Sequence, residues 1–247
     1  MRVVLLGTTG YHPNDRRQTA CLMLPEQGIV LDAGTGIYRA RDYLVTHELD
    51  IFISHAHLDH VVGLTYLFDV VAEKEVSRVT VHGAGQHLNA VQQHLFATPI
   101  FPVAPPCNFS PLSAGTIALR SGGRLNHFEL EHPGGSVGYR LDWPGHSLAY
   151  ITDTIAAPGA KYIEMLRGVD LLIHECYFRD GMEGWASQTG HSSTSAVARV
   201  AAEAGVGRLV LVHLNPRSDA DDPIGVEAAQ GIFPHTEIGH DRLEIEF

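Results

Sequence analysis

The run His55-Ala56-His57-Leu58-Asp59-His60 puts three imidazoles and a carboxylate into six residues, directly after the strand-like stretch Asp50 to Ser54. Neutral imidazole is a common ligand for zinc and related ions, and a carboxylate adds the hard oxygen that a second ion accepts. In an extended segment, positions i and i+2 point the same way, so His55 and His57 can grip one ion. Asp59 and His60 lie past the turn and can face another. Such a run needs a rigid scaffold behind it and further ligands from elsewhere in the chain.

Those ligands are legible at the ends of other apolar stretches. Asp32 ends Ile29 to Leu31, His132 follows Leu125 to Glu131, Asp153 ends Leu148 to Thr152, and His213 ends Leu209 to Val212. Taken singly, each also reads as a cap or turn residue. Taken together, they are polar groups delivered by strand ends to one edge of a layered sheet structure, where a scaffold holds loops in place.

The remaining patterning agrees with such layers. Strand signals fall at Arg2 to Leu6, Thr19 to Leu24, Gly28 to Asp32, Asp50 to Ser54, Arg78 to His82, Thr116 to Arg120, Leu125 to Glu131, Ser136 to Leu141, Ser147 to Thr152, Leu171 to His174, Leu209 to His213 and Leu243 to Phe247. Helical patterning falls at Gly36 to Thr46, Leu64 to Glu73, Ala84 to Phe96, Ala160 to Arg167, Ser193 to Ala204 and Gly225 to Gln230. The proline-rich segment Thr98 to Pro111 reads as a surface loop. Each half therefore carries strands plus helices, which suits two facing sheets with helices outside. No internal repeat or low-complexity tract stands out, and residues 1–247 read as one domain.

Composition narrows the function classes. The 45% hydrophobic content is that of a soluble globule with a sizeable core, and no apolar run approaches the roughly 18 residues that span a bilayer. The segment Met1 to Gly7 turns polar too soon for a signal peptide. Cys21, Cys107 and Cys176 are odd in number and form no C-x-x-C pair, so they read as small buried residues in a reducing, cytoplasmic protein. A formal charge of −11 disfavours a long nucleic-acid footprint and favours a small substrate, although bound divalent ions can dominate a cleft's local field. His87 and His94, seven apart on one helical face, read as ordinary helix residues, and His12 as a possible lining residue.

Asp32, the run His55 to His60, His132, Asp153 and His213 occur in an order and approximate spacing that resembles the metallo-β-lactamase superfamily across essentially the whole chain. The resemblance implies an α/β fold, a four-layer αββα sandwich, with a two-metal site between its sheets. By that likeness His55, His57 and His132 hold one ion, while Asp59, His60 and His213 hold the other. Asp153 bridges them, and Asp32 orients a ligand histidine.

The later stretches Ile173-His174-Glu175-Cys176-Tyr177-Phe178, Gly190-His191-Ser192-Ser193-Thr194 and Val212-His213-Leu214-Asn215-Pro216-Arg217 look like the tRNase Z branch and its smaller phosphodiesterase relatives. That likeness implies that His191 reaches the scissile phosphate and that Glu175 holds its imidazole. The basic, Gly/Pro-rich arm with which tRNase Z enzymes clamp tRNA has no counterpart between His60 and His132. The extra cysteine ligands of the phosphonate-pathway phosphodiesterase are also missing.

The expectation is a dinuclear metal-dependent hydrolase. Two divalent ions, zinc or else manganese or iron, would lower the pKa of a shared water, with Asp59 and Asp32 supporting the site and His191 acting as general acid on a small or cyclic phosphodiester. The same site could hydrolyse a lactone, ester or thioester, or process tRNA 3′ ends. A non-catalytic metal-binding role is the remaining alternative. A homodimer suits the general prevalence of twofold assemblies.

Overall fold

The computed structural model describes residues 1–218 and 220–247. The chain separates into two compact units. The N-terminal unit holds Arg2–Ala114 and Asp241–Glu246; the C-terminal unit holds Gly115–His240 together with Met1 and Phe247.

Strands β1 (Arg2–Gly7), β2 (Cys21–Leu24), β3 (Ile29–Leu31), β4 (Glu48–Phe52), β5 (Arg78–Gly83) and β6 (Asn108–Pro111) come first. They are followed by β7 (Ile117–Ala118), β8 (Arg124–Leu130), β9 (Ser136–Trp143), β10 (His146–Ile151), β11 (Leu171–Glu175), β12 (Arg208–Val212), β13 (Thr236–Ile238) and β14 (Glu244–Glu246). The sheet of the N-terminal unit has the order β14-β1-β2-β3-β4-β5-β6, and that of the C-terminal unit β13-β12-β11-β10-β9-β8-β7.

The two sheets share one plan. In the N-terminal unit β14, β1, β2 and β3 pair antiparallel, and β4 to β6 add in parallel. In the C-terminal unit β7 to β10 pair antiparallel, and β11 to β13 add in parallel. The sequence shows no repeat, yet the topology is duplicated. In both units the last strand of the antiparallel series, β3 or β10, is followed within two residues by an aspartate at positive φ: Asp32 at 58° and Asp153 at 43°.

Both faces of the central strands are buried, which explains why they read as continuous apolar runs and not as alternating ones. In β1, Val4 and Leu6 join the cluster that packs beneath the helices, while Val3 and Leu5 on the other face are equally buried. In β12, Leu209 and Leu211 join the corresponding cluster of the C-terminal unit, with Val210 and Val212 opposite. The 11-residue helix Thr194–Ala204 contributes Val197, Val200, Ala201 and Ala204 to that cluster at helical spacing and stops at Gly205 in the left-handed conformation.

Several elements differ from the expectation. The helix expected over Gly36 to Thr46 is a 3-10 turn, Thr35–Arg39, running into the short α-helix Ala40–Tyr43. That expected over Leu64 to Glu73 is likewise a 3-10 turn, Val62–Tyr66, followed by Leu67–Val71. The helix at Ala84 to Phe96 starts as α-helix Gly85–Ala90 and widens into a π-turn, Val91–Leu95. The proline-rich segment is not all loop: Asn108–Pro111 adds to β5 as an edge strand, and its proline ends that edge. Helix Glu183–Thr189 and strand β13 are additional to the elements expected.

Asp241 fastens β14's approach to the N-terminal unit. Its carboxylate accepts hydrogen bonds from the Thr8 hydroxyl, the Gln18 amide and the Arg39 guanidinium, and the last of these also donates to the Leu6 carbonyl.

Candidate active site

In the N-terminal unit, β3 and β4 are parallel neighbours, so the residues leaving their carboxyl ends share one edge. Asp32 leaves β3; Ser54 and the His55 to His60 run leave β4. The Asp32 carboxylate is fully buried and accepts three hydrogen bonds: Ser54 N–H at 2.7 Å, Ser54 O–H at 2.9 Å and His60 Nδ1–H at 2.8 Å. Because Nδ1 donates, the neutral His60 ring keeps its lone pair on Nε2, which lies 3.4 Å from Asp59 Oδ2. The same Asp59 oxygen accepts the Tyr11 N–H at 2.7 Å.

The His55 ring centroid sits 4.4 Å from that of His57 and 4.3 Å from that of His60. His55 and His60 are buried, and His57 is exposed. The run is clamped to the loop after β3 by Ala33 N–H to His60 O and Gly63 N–H to Ala33 O, each 2.8 Å. A side chain at Gly34 would collide with the Asp59 carbonyl, so only glycine permits this approach.

In the C-terminal unit, β10, β11 and β12 are parallel neighbours, and β8 runs in their direction through the antiparallel β9. Their carboxyl ends deliver His132, Asp153, Glu175 and His213 to one edge. Asp153 divides its two oxygens: Oδ2 lies 3.5 Å from His132 Nε2, and Oδ1 lies 3.1 Å from His213 Nε2. His132 Nδ1 donates to the Gly190 carbonyl at 2.8 Å, which leaves the lone pair on the Nε2 that faces Asp153. Asp153, His191 and His213 each offer a ligand atom within 4.8 Å of the others.

Glu175, wholly buried, holds the neighbouring pieces in register. Its Oε1 accepts His191 Nδ1–H at 3.2 Å and Thr154 N–H at 3.1 Å, and its Oε2 accepts Tyr177 N–H at 3.1 Å. The His191 imidazole is stacked on the Tyr177 ring with centroids 4.8 Å apart at 18°. Beneath this layer Tyr162 donates its hydroxyl to His174 Nε2 at 3.1 Å, and His174 Nδ1 donates to the Glu175 carbonyl. Burial lowers the His174 pKa and raises that of the Tyr162 phenol, so the pair is neutral.

Backbone strain gathers at the same residues. Asp32, Asp153 and His213 have φ of 58°, 43° and 54°, a region that non-glycine residues seldom occupy and that costs of order 1–3 kcal/mol each. Helices and sheets do not need these conformations; the side chains they aim do.

The donor chemistry fits a divalent cation. A carboxylate oxygen 3.4–3.5 Å from an imidazole nitrogen whose proton is committed on the other side sets two lone pairs against each other, as at His60 with Asp59 and at His132 with Asp153. That arrangement is repulsive unless a cation or a proton lies between. Nitrogen and carboxylate donors of this kind accept zinc, manganese or iron.

A family model for the beta-lactamase superfamily domain matches residues 28–214, which include every residue named above as a candidate ligand. The chain belongs to the beta-lactamase superfamily. Among its relatives in that superfamily is ribonuclease Z of Synechococcus sp. (strain CC9605), 29% identical over an alignment that covers 100% of this chain and 98% of the relative. That alignment runs over 313 positions against the 247 residues here, so at least 66 of them have no counterpart in this chain.

Among solved structures, the metallo-β-lactamase fold protein YhfI of Bacillus subtilis superposes with a TM-score of 0.84 at 20% identity, covering 99% of each chain. The short form of human tRNase Z superposes with a TM-score of 0.73 at 21% identity, covering 100% of this chain and 99% of that one. The two mixed sheets with their helices are thus those of the metallo-β-lactamase fold, as the sequence motifs implied, and the chain is a hydrolase of this superfamily.

Sequence reasoning passed over Ser54, Tyr177 and Gly190. Ser54 stands immediately before His55 at a strand end, and Gly190 immediately before His191. Tyr177 carries no signal beyond its place two residues after Glu175.

Proposed function

We propose that the two clusters act as halves of one catalytic domain spanning residues 1–247, which hydrolyses a phosphodiester. In this reading His55, His57 and His132 hold one divalent ion, Asp59, His60 and His213 hold a second, and Asp153 is shared. The observation that carries it is the divided carboxylate of Asp153, whose oxygens separately face the Nε2 atoms of His132 and His213. When bound, a pair of divalent ions supplies a hydroxide nucleophile at neutral pH and neutralises charge on the phosphoryl oxygens.

The chain's own residues do the rest. Asp32 fixes the His60 tautomer, and the Gly190 carbonyl fixes that of His132, so both rings present Nε2 without a reorganisation cost. Glu175 accepts His191 Nδ1–H, so in the imidazolium form the second proton sits on Nε2, which gives it to the departing alkoxide and leaves a neutral ring still donating from Nδ1. General-acid assistance of this kind is worth about 10²- to 10⁴-fold.

A small or cyclic diester is the favoured substrate. It agrees with the formal charge of −11 and with the 66 or more alignment positions that the Synechococcus ribonuclease Z has in excess. The second reading, RNA 3′ processing, is favoured by the names of the curated relatives, which are ribonuclease Z and ribonuclease BN. Free cysteines at 21, 107 and 176 agree with a cytoplasmic enzyme, and among the described residues no helix is long and apolar enough to cross a membrane.

The test is a panel of bis(p-nitrophenyl) phosphate, 2′,3′- and 3′,5′-cyclic nucleotides, a homoserine lactone and precursor tRNA, run on protein of measured metal content. Diester turnover that His191→Ala slows by about 10²-fold or more for poor leaving groups supports the proposal. Turnover confined to the lactone would overturn it.

A further inference from the structure

A concave feature of the C-terminal unit is walled in part by Tyr177, the residue stacked on His191. It is a pocket of about 350 Å³ whose walls include Tyr177, Arg179 and Met182 from the segment after β11 and Asn215 and Arg217 from the segment after β12. Its charged side chains are both arginines and both exposed. Among the described residues, neither guanidinium makes an ion pair or a hydrogen bond.

Two acidic residues of the neighbouring segments are committed elsewhere. Asp180 accepts the Ser195 N–H at 2.8 Å and the Ser195 hydroxyl. Asp222 accepts the N–H groups of Ile224, Gly225 and Val226. Two guanidinium groups on one pocket, neither of them paired among the described residues, need a reason in a chain of net charge −11. Arginine's fork of N–H donors suits phosphate, and an exposed pair costs little to keep charged until an anion arrives.

The pocket is rigidly tied to the candidate catalytic histidine. Tyr177, one of its walls, is stacked on His191, and Glu175 holds both the Tyr177 N–H and His191 Nδ1. Its volume exceeds what a bare phosphate fills and lies within the range of small-molecule sites, about 300–1,000 Å³. Tyr177 also provides a ring face against which a sugar or base can lie.

We propose that this pocket is a specificity subsite for a second phosphate, so that the preferred substrate is a phosphodiester carrying an additional terminal phosphomonoester, which Arg179 and Arg217 clamp. This deepens the phosphodiesterase reading and rests on it for the reaction, though not for the binding.

The experiment compares the dinucleotide UpU with its 5′-phosphorylated and 3′-phosphorylated forms in the metal-loaded wild type, Arg179→Ala, Arg217→Ala and the double variant. Adenosine 3′,5′-bisphosphate is titrated in parallel by calorimetry. The expected result is that one phosphorylated form exceeds UpU in kcat/KM by about tenfold or more, the scale of one charge-assisted hydrogen bond, and that the double variant abolishes this ratio.

Bisphosphate affinity should fall by about tenfold or more in the double variant and should weaken steeply with salt in the wild type. Equal ratios and equal affinities in the wild type and the double variant would overturn the subsite. If no diester is turned over, yet bisphosphate binding depends on both arginines, the subsite stands and the phosphodiesterase reading falls. Arg179→Lys, which keeps charge but loses the fork, should recover only part of the effect.

Discussion

Gly190 offers a measurable link between backbone geometry and the candidate metal site. It ends the helix Glu183–Thr189 at φ 77°, and its carbonyl holds His132 Nδ1. A Cβ placed there would lie 2.9 Å from that same Nδ1 and would collide with the Pro133 ring. Gly205 is its natural control: it ends the helix Thr194–Ala204 at φ 61°, and a Cβ there meets nothing within 4 Å.

Gly205→Ala should therefore cost only the left-handed backbone penalty, about 1–2 kcal/mol. Gly190→Ala should add the crowding of a packed site, about 1–3 kcal/mol, for a total of about 2–5 kcal/mol. At about 2–4 °C per kcal/mol for a chain of this size, Gly205→Ala should lower Tm by about 2–8 °C and Gly190→Ala by about 4–20 °C. The assay is differential scanning fluorimetry beside elemental analysis. The decisive signature is that Gly190→Ala also loses metal, because His132 has been pushed off its tautomer-fixing partner, whereas Gly205→Ala keeps its full complement. Equal Tm losses and equal metal content in the two variants would refute the reasoning.

Asp153→Ala should lower bound metal below that of the wild type and reduce diester hydrolysis by orders of magnitude, read by elemental analysis and initial rates; unchanged metal content would remove Asp153 from the site. Asp32→Asn presents an amide N–H to donors on Ser54 and His60 and should force the other His60 tautomer, with loss of metal and at least about 1–3 kcal/mol of stability by chemical denaturation. Burial lowers the pKa of His174 below its unfolded value near 6.5, so its contribution to stability should be complete above about pH 6.5 and lost as pH falls below it. Denaturation curves across pH 4–8 should show that acid-side decline flattened in His174→Gln. Tyr162→Phe, which leaves His174 Nε2 without its donor, should cost about 1–3 kcal/mol at pH 7.5.

Much of this was legible in the sequence because strand ends are easy to read. Asp32, Asp153 and His213 each close an apolar run, and such runs appear wherever both faces of a strand are buried. The run His55 to His60 announces itself by residue type alone. What stayed hidden was set by tertiary contact. The tautomer of His132 depends on the carbonyl of a glycine 58 residues away, and the stacking of Tyr177 on His191 depends on how Glu175 holds both.

Helix lengths were overread at Gly36 to Thr46 and Leu64 to Glu73. There apolar periodicity is real, but each segment divides into a 3-10 turn and a short α-helix, which periodicity alone does not distinguish from one longer helix. The duplicated strand plan was invisible, since topology survives where sequence similarity between two halves does not.

The central claim, that the two clusters hold a shared pair of divalent ions, is tested most directly by anomalous-scattering maps from crystals of the metal-loaded protein. The account predicts two peaks about 3.5–4 Å apart with the Asp153 carboxylate between them, His55, His57 and His132 around one, and Asp59, His60 and His213 around the other. A single peak bound by residues of one unit alone, or no peak at Asp153, would contradict it.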